Sequence, residues 1–210
     1  MISSDAAAGT VVLFDWNGTV VLDADRAARS LNGVLIARGI TPLGPAAFRR
    51  EFHLPMADMF DRLGASDTAA AEIEWNTAMA AESTSVREGT AALRHLREAG
   101  IRLGVVSAAF ESSVRADMKA LDLDGLWDSV DAPAIDKIDV LRSRRGDEPR
   151  AYYLGDTVYD MRSARAAGFT PVGVDRGYTD AGLLRDAGAE LMLASFDELR
   201  ALIEVTAAVR

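Results

Sequence analysis

Val11-Val12-Leu13-Phe14-Asp15 decides how this chain is read: four consecutive apolar residues run straight into a carboxylate. So short and unbroken an apolar run fits a strand buried on both faces of a parallel sheet. Three further runs repeat the form. Ile101-Arg102-Leu103-Gly104-Val105-Val106 ends at Ser107, Ala151-Tyr152-Tyr153-Leu154 ends at Gly155-Asp156, and Pro171-Val172-Gly173-Val174 ends at Asp175. Leu191-Met192-Leu193 is a weaker fifth. Between these runs apolar residues recur at helical spacing: Ala92, Leu93, Leu96 and Ala99 before Gly100, then Val114, Met118 and Leu121. Val158, Met161 and Ala164 precede Gly168, and Leu199, Leu202 and Ile203 mark a last helix; glycine at such points stops a helix. Strands alternating with helices predict an α/β fold, a mostly parallel Rossmann-like sheet joined by right-handed crossovers.

The interval after the first strand is different. From Asp23 to Glu82 the pattern is helical throughout, over Ala24–Arg38, Pro45–Phe52, Met56–Leu63 and Thr68–Ala81. A single crossover needs only about a dozen residues. The surplus of about 60 residues predicts a small all-helical cap domain, 22–83, inserted after the first strand. Residues 1–21 and 84–210 form the core, with hinges near Val20–Asp23 and Ser83–Glu88.

Composition narrows the partners. Twenty-three basic residues against thirty-two acidic ones leave a net charge of −9 over 210 residues. Binding to a phosphate backbone works through clustered cations, so a general nucleic-acid binder is not expected. Cysteine is absent, which excludes disulfides, thiolate metal sites and a cysteine nucleophile. Met1–Thr10 has neither a basic nor an apolar leader segment, and no apolar run approaches the ~20 residues of a membrane span. A cytoplasmic protein, monomeric or homodimeric and without a membrane partner, is the expectation.

In a doubly wound sheet ligands bind beyond the carboxyl ends of the strands. Asp15, Ser107 and Asp156 stand at those ends, Asp160 lies one helical turn beyond Asp156, and Lys137 follows Asp131 and Asp136. Three carboxylates gathered at one edge repel each other unless a cation neutralises them. Oxygen donors without His or Cys select Mg²⁺ rather than zinc.

These residues resemble the four motifs of the haloacid dehalogenase superfamily. Phe14-Asp15-Trp16-Asn17-Gly18-Thr19 is similar to the first, Ser107 and Lys137 to the second and third, and Gly155-Asp156-Thr157-Val158-Tyr159-Asp160 to the fourth. Gly173-Val174-Asp175-Arg176-Gly177-Tyr178 and Ala187-Gly188-Ala189-Glu190 add a likeness to the phosphoglycolate phosphatase-like branch. The resemblance implies a Mg²⁺-dependent phosphatase for a small phosphorylated metabolite, in which Asp15 attacks phosphorus to form an aspartyl-phosphate. By the same resemblance Asp15, the backbone carbonyl of Asn17 and Asp156 hold Mg²⁺, and Asp160 holds a metal-bound water or orients Lys137. Ser107, Lys137, Trp16 and Gly18 face the phosphate, the glycine by opening the loop for backbone amides. Thr19 pins the loop through its hydroxyl. The usual haloacid dehalogenase reaction needs no metal, so the fourth motif argues against it.

One position departs from the pattern. Asn17 stands where phosphatases of this kind carry a second aspartate, the acid–base group for the leaving alcohol and the attacking water. An amide hydrogen-bonds but does not shuttle protons near neutral pH. Loss of such a group costs ~10²–10⁴-fold in rate. The alternatives are therefore a phosphotransferase with a long-lived phospho-intermediate, or a catalytically weak phosphate-binding regulatory protein. Among the remaining polar residues, His53 and His95 read as structural or solvent-facing. His53, Arg49, Arg50 and Arg62 are the cap groups able to meet a substrate, and Ser143–Pro149 reads as a solvated loop.

Overall fold

The structure, a computed structural model, describes residues 9–208; Met1–Ala8, on which the reading of the leader partly rests, lie outside the described residues. The decisive apolar run forms β1 (Thr10–Phe14), every residue of it buried. Side chains on a strand alternate between faces. Val12 and Phe14 accordingly join one apolar cluster, with Leu93, Leu96, Val114, Met118, Leu199 and Ile203, while Val11 and Leu13 join another, with Leu141, Ala164 and Phe169. Each such side chain taken fully out of water contributes ~1.5–3 kcal/mol, and this two-faced burial explains the absence of any polar residue in the run.

The other strands of the sheet are β4 (Arg102–Val106), β5 (Ser129–Asp131), β6 (Arg150–Gly155), β7 (Thr170–Val174) and β8 (Leu191–Leu193). They lie in the order β5-β4-β1-β6-β7-β8, all parallel, with Val12 facing Leu103 on one side and Tyr152 on the other. The chain runs outward from β1 through β4 and β5, then returns to the other side of β1 with β6. Beyond the carboxyl ends of β1 and β6 the connections diverge, which opens a crevice.

Two more strands, β2 (Val21–Leu22) and β3 (Ser85–Val86), pair antiparallel as a short ribbon. Between them run α1 (Ala24–Ala37), α2 (Pro45–Glu51), α3 (Met56–Arg62) and α4 (Thr68–Ala81). These helices match the expected segments to within a residue at each end. They enclose an apolar cluster of their own, built on Leu31, Leu35, Met59, Phe60, Ala71 and Trp75, to which the core contributes Tyr178. The Tyr178 ring meets Phe52 edge-on, with centroids 4.5 Å apart. The sheet is flanked by α5 (Thr90–Glu98), α6 (Glu111–Ala120), α7 (Lys137–Arg144), α8 (Val158–Ala166), α9 (Ala181–Asp186) and α10 (Asp197–Ala208). No helix among the described residues is long and apolar enough to cross a membrane.

Two local readings are corrected. β5 carries no apolar run because its three residues are all half-buried at a sheet edge, where pairing to β4 rather than hydrophobicity defines it. The stretch 143–149 is not a merely solvated loop. Arg144 ends α7 and pairs with Asp131 at 2.7 Å, Glu148 pairs with Arg102 at 2.6 Å, and the Arg145 guanidinium lies over the Phe169 ring. Those partners are distant in sequence, so nothing in the stretch itself announces them.

Candidate active site

Strand ends bring the expected residues together. Asp15 follows β1, Ser107 follows β4, and Asp156 follows β6; all three are at least 95% buried, as is Lys137 at the first turn of α7. The Lys137 ammonium lies 2.8 Å from Asp15 Oδ1 and 2.7 Å from Asp160 Oδ1, so it is an ion-paired group at full burial and not a solvated lysine. Burial alone would depress its pKa, but Asp15 and Asp160 hold it well above the ordinary value. Lys137 reaches this place because Asp136 caps α7, accepting from the backbone N–H groups of Ile138 and Asp139.

Asp160 is held from the other side. Thr157 caps α8, its hydroxyl accepting from the Asp160 N–H at 3.1 Å, while Asp160 Oδ2 accepts from the Thr157 N–H and hydroxyl in return. Tyr153 donates to Asp160 Oδ1 at 3.2 Å. Asp160 thus has both a helix-terminal and a charge-pairing role. Asp156 is not the cap; its Oδ1 accepts from the Thr19 hydroxyl at 3.2 Å and its Oδ2 from the Tyr178 N–H at 2.6 Å. Thr19 therefore pins its loop to Asp156.

Carboxylate oxygens of Asp15, Asp156 and Asp160 lie within 4.8 Å of one another. Burial pushes the Asp15 carboxyl up to about 7 despite the nearby Lys137. Burial, reinforced by Asp15 and Asp160, holds Asp156 well above the usual carboxylate range. The cause is simple: three buried carboxylates face one ammonium. The uncompensated charge is of the size a divalent cation supplies, and an all-oxygen donor set suits a hard one. The residues present fit such an ion.

Ser107 lines the same cavity as Asp15, and its Oγ accepts from the Ala109 N–H at 3.2 Å; it does not cap α6, whose first turn is preceded by Phe110. Asn17 also lines the cavity, with its Nδ2 donating to Asp23 Oδ2 at 2.6 Å. Trp16 and Gly18, both expected to face the phosphate, have partners within the protein. The Trp16 side chain is fully buried in the core, its indole N–H donating to Asp117 and its ring edge-on to Trp127, so it does not reach the cavity. The Gly18 N–H donates to Asp23 Oδ1 at 2.8 Å and so points to a side chain, not to a ligand. Gly18 has another reason to be glycine. Its φ is +74°, and a Cβ there would lie 2.1 Å from Asp156 Oδ2.

The expected cations of the helical insert stay outside. Arg49 lies 4.0 Å from Asp180, Arg50 pairs with Glu51, and Arg62 contacts Glu51 and His53; none of these lines the cavity. His95 is exposed, as expected.

Five contributors had no role assigned in advance. Asp23, buried at the start of α1, collects Asn17, Gly18, Arg26 and the Tyr178 hydroxyl. Arg26 continues the network to Asp117 at 3.0 Å. Arg87, also buried, donates to the carbonyls of Gly18, Thr19 and Asp175, each at 2.6 Å, and so fixes the loop after β1 against the end of β7. Only Tyr178 had a signal, its place in the glycine-rich stretch after β7.

The profile of the haloacid dehalogenase-like hydrolases matches residues 12–174. Phosphoglycolate phosphatase of Mesorhizobium japonicum is 26% identical over 90% of this chain and 92% of its own. A predicted phosphatase from Clostridium acetobutylicum shares the fold with a TM-score of 0.78, at 21% identity over 92% of this chain and 97% of its own. CbbY from Rhodobacter sphaeroides, in complex with phosphate, superposes with a TM-score of 0.75 at 22% identity over 95% and 96% of the two chains. With the profile spanning most of the sheet and the motif residues converging on one buried site, the chain belongs to the haloacid dehalogenase-like hydrolase family.

Proposed function

We propose that this hydrolase is a Mg²⁺-dependent phosphatase acting on a small phosphorylated metabolite in the cytoplasm, with Asp15 as nucleophile. One observation carries the reading: the buried Lys137 ammonium holds one oxygen of Asp15 at 2.8 Å beside the oxygens of Asp156 and Asp160. Likeness to a phosphoglycolate phosphatase supports it. Bound by Asp15, the Asn17 carbonyl and Asp156, Mg²⁺ would screen the repulsion between a carboxylate and a phosphate dianion.

The chain's own residues do the rest. Lys137 favours the ionised form of Asp15 and orients it, and Asp160 and Thr157 keep Lys137 in place. A carboxylate oxygen of Asp15 attacks phosphorus, the bond from phosphorus to the ester oxygen breaks, and the alcohol departs with a proton taken from solvent. Water then attacks phosphorus, releasing a proton and inorganic phosphate and restoring the Asp15 carboxylate. The Ser107 hydroxyl donates to a phosphoryl oxygen in both steps. The helical segment 22–83 acts as a cap, closing over Asp15 through the ribbon of β2 and β3 and excluding water.

Asn17 favours a second reading of the same site. Without an acid–base group, the aspartyl-phosphate is formed more readily from good leaving groups and is hydrolysed slowly, so transfer to an acceptor alcohol competes with water. Turnover of p-nitrophenyl phosphate and acetyl phosphate by wild type and Asp15→Asn, with and without Mg²⁺, tests both. Metal-dependent activity lost in Asp15→Asn is expected; equal activity in the two proteins ends the covalent mechanism. Phosphate ester formed from added glycerol marks the transferase.

A further inference from the structure

The phosphoryl site lies at the floor of a cavity of about 470 Å³ that opens between the sheet and the helical insert. Beyond Asp15, Asn17, Ser107 and Thr157 its walls are chiefly apolar: Phe52, Leu54 and Met56 from the α2–α3 connection and α3, Ile73 and Trp75 from α4, and Phe110 from the core. No lysine, arginine or histidine is among the lining residues, and the one acid away from the floor is Glu72, whose carboxyl burial pushes upward.

Several polar donors on the walls are engaged within the protein, while the Tyr159 hydroxyl, which accepts from the Lys137 N–H, keeps its hydrogen. The Trp75 indole N–H donates to the Ala27 carbonyl, Asn76 Nδ2 donates to the Glu72 carbonyl, and the Tyr178 hydroxyl donates to Asp23. The mouth is apolar as well. Five large hydrophobic residues are exposed among the described residues, and three of them, Ile73, Phe110 and Ile135, line this cavity. Ile135 is 92% exposed.

We propose that the group carried by the phosphate is uncharged and apolar, an aromatic or branched aliphatic moiety, and neither a carboxylate-bearing alcohol nor a polyol. The proposal rests on the phosphatase reading for the identity of the floor. A carboxylate on the leaving alcohol would find no lysine, arginine or histidine on the walls and would meet Glu72. A sugar would leave most of its hydroxyls facing the apolar side chains of Phe52, Leu54, Met56, Ile73 and Phe110. An aromatic or branched group instead removes the exposed Ile73, Phe110 and Ile135 surfaces from water.

Phosphonates, which bind without turnover, separate this proposal from the catalytic reading. Calorimetric titration of the wild-type chain in Mg²⁺ would compare methylphosphonate, 2-phenylethylphosphonate and phosphonoacetate. The phenylethyl compound is expected to bind at least about tenfold tighter than methylphosphonate, in line with what a few apolar atoms contribute in a pocket. Phosphonoacetate is expected to bind no tighter than methylphosphonate. Ile73→Lys, a change at a side chain 56% exposed, should erase the phenylethyl preference and bring phosphonoacetate up. Equal binding of the phenylethyl and methyl compounds, or a tenfold preference for phosphonoacetate, overturns the proposal. Equal turnover of p-nitrophenyl phosphate by wild type and Asp15→Asn would instead overturn the covalent reading while leaving the binding order to decide the pocket.

Discussion

The side-chain amide of Asn17 donates from Nδ2 to Asp23 Oδ2 at 2.6 Å, so the residue expected to stand in the place of an acid–base group is itself anchored to a buried carboxylate. Asp23 is held in turn by Arg26, the Gly18 N–H and the Tyr178 hydroxyl. The amide is therefore oriented, and it carries no proton it can give away.

Asn17→Asp should restore an acid–base group, and the neighbouring Asp23 carboxylate favours keeping the new carboxyl protonated. Turnover of alkyl phosphates is expected to rise by ~10²–10⁴-fold, against a much smaller change for acetyl phosphate, whose leaving group needs no proton. Steady-state rates across substrates of graded leaving-group pKa give the measurement. An unchanged ratio between the two classes would show that proton transfer does not limit this enzyme.

Lys137→Met removes the one ammonium between Asp15 and Asp160 and leaves two buried carboxylates without it. Breaking a buried pair from one side costs ~3–5 kcal/mol. Urea unfolding without metal should show that loss in the midpoint, together with loss of turnover.

Mg²⁺ should stabilise the wild-type fold, because the acidic cluster exists only in the folded chain. At a concentration of about one hundred times Kd the gain is ~2.7 kcal/mol. Asp156→Ala should abolish the metal-dependent rise in melting temperature; a rise of wild-type size in that variant would place the ion elsewhere.

Gly18→Ala puts a methyl group 2.1 Å from Asp156 Oδ2 at a φ of +74°. Backbone strain alone is worth ~1–3 kcal/mol, and displacement of Asp156 should weaken Mg²⁺ binding beyond that. Metal-dependent thermal shifts compared with Gly39→Ala, also at positive φ but with open space around its Cβ, separate the two effects.

The alternation of apolar runs and helical spacing was enough to locate five of the six strands of the main sheet and the four helices between β2 and β3. Burial on both faces of a strand or one face of a helix leaves a periodic record in residue type. The same record placed Asp15, Ser107 and Asp156 at strand ends. β5 left no such record, since at a half-buried edge a Ser-Val-Asp segment is defined by its neighbour's backbone.

Local order along the chain thus determined the α/β layering, the helical insert and the chemical identity of the groups around Asp15. What tertiary structure alone decided is which way each candidate group is directed. It turned Trp16 into the core and the Gly18 N–H toward Asp23, left Arg49, Arg50 and Arg62 outside the cavity, and joined Asp23, Arg26, Asp117 and Arg87 to the loop after β1. The reason is physical. Periodicity reports whether a side chain is buried, through solvation summed over one element. A hydrogen bond or ion pair depends on the meeting of two segments up to 155 residues apart, and neither segment alone encodes the other's position.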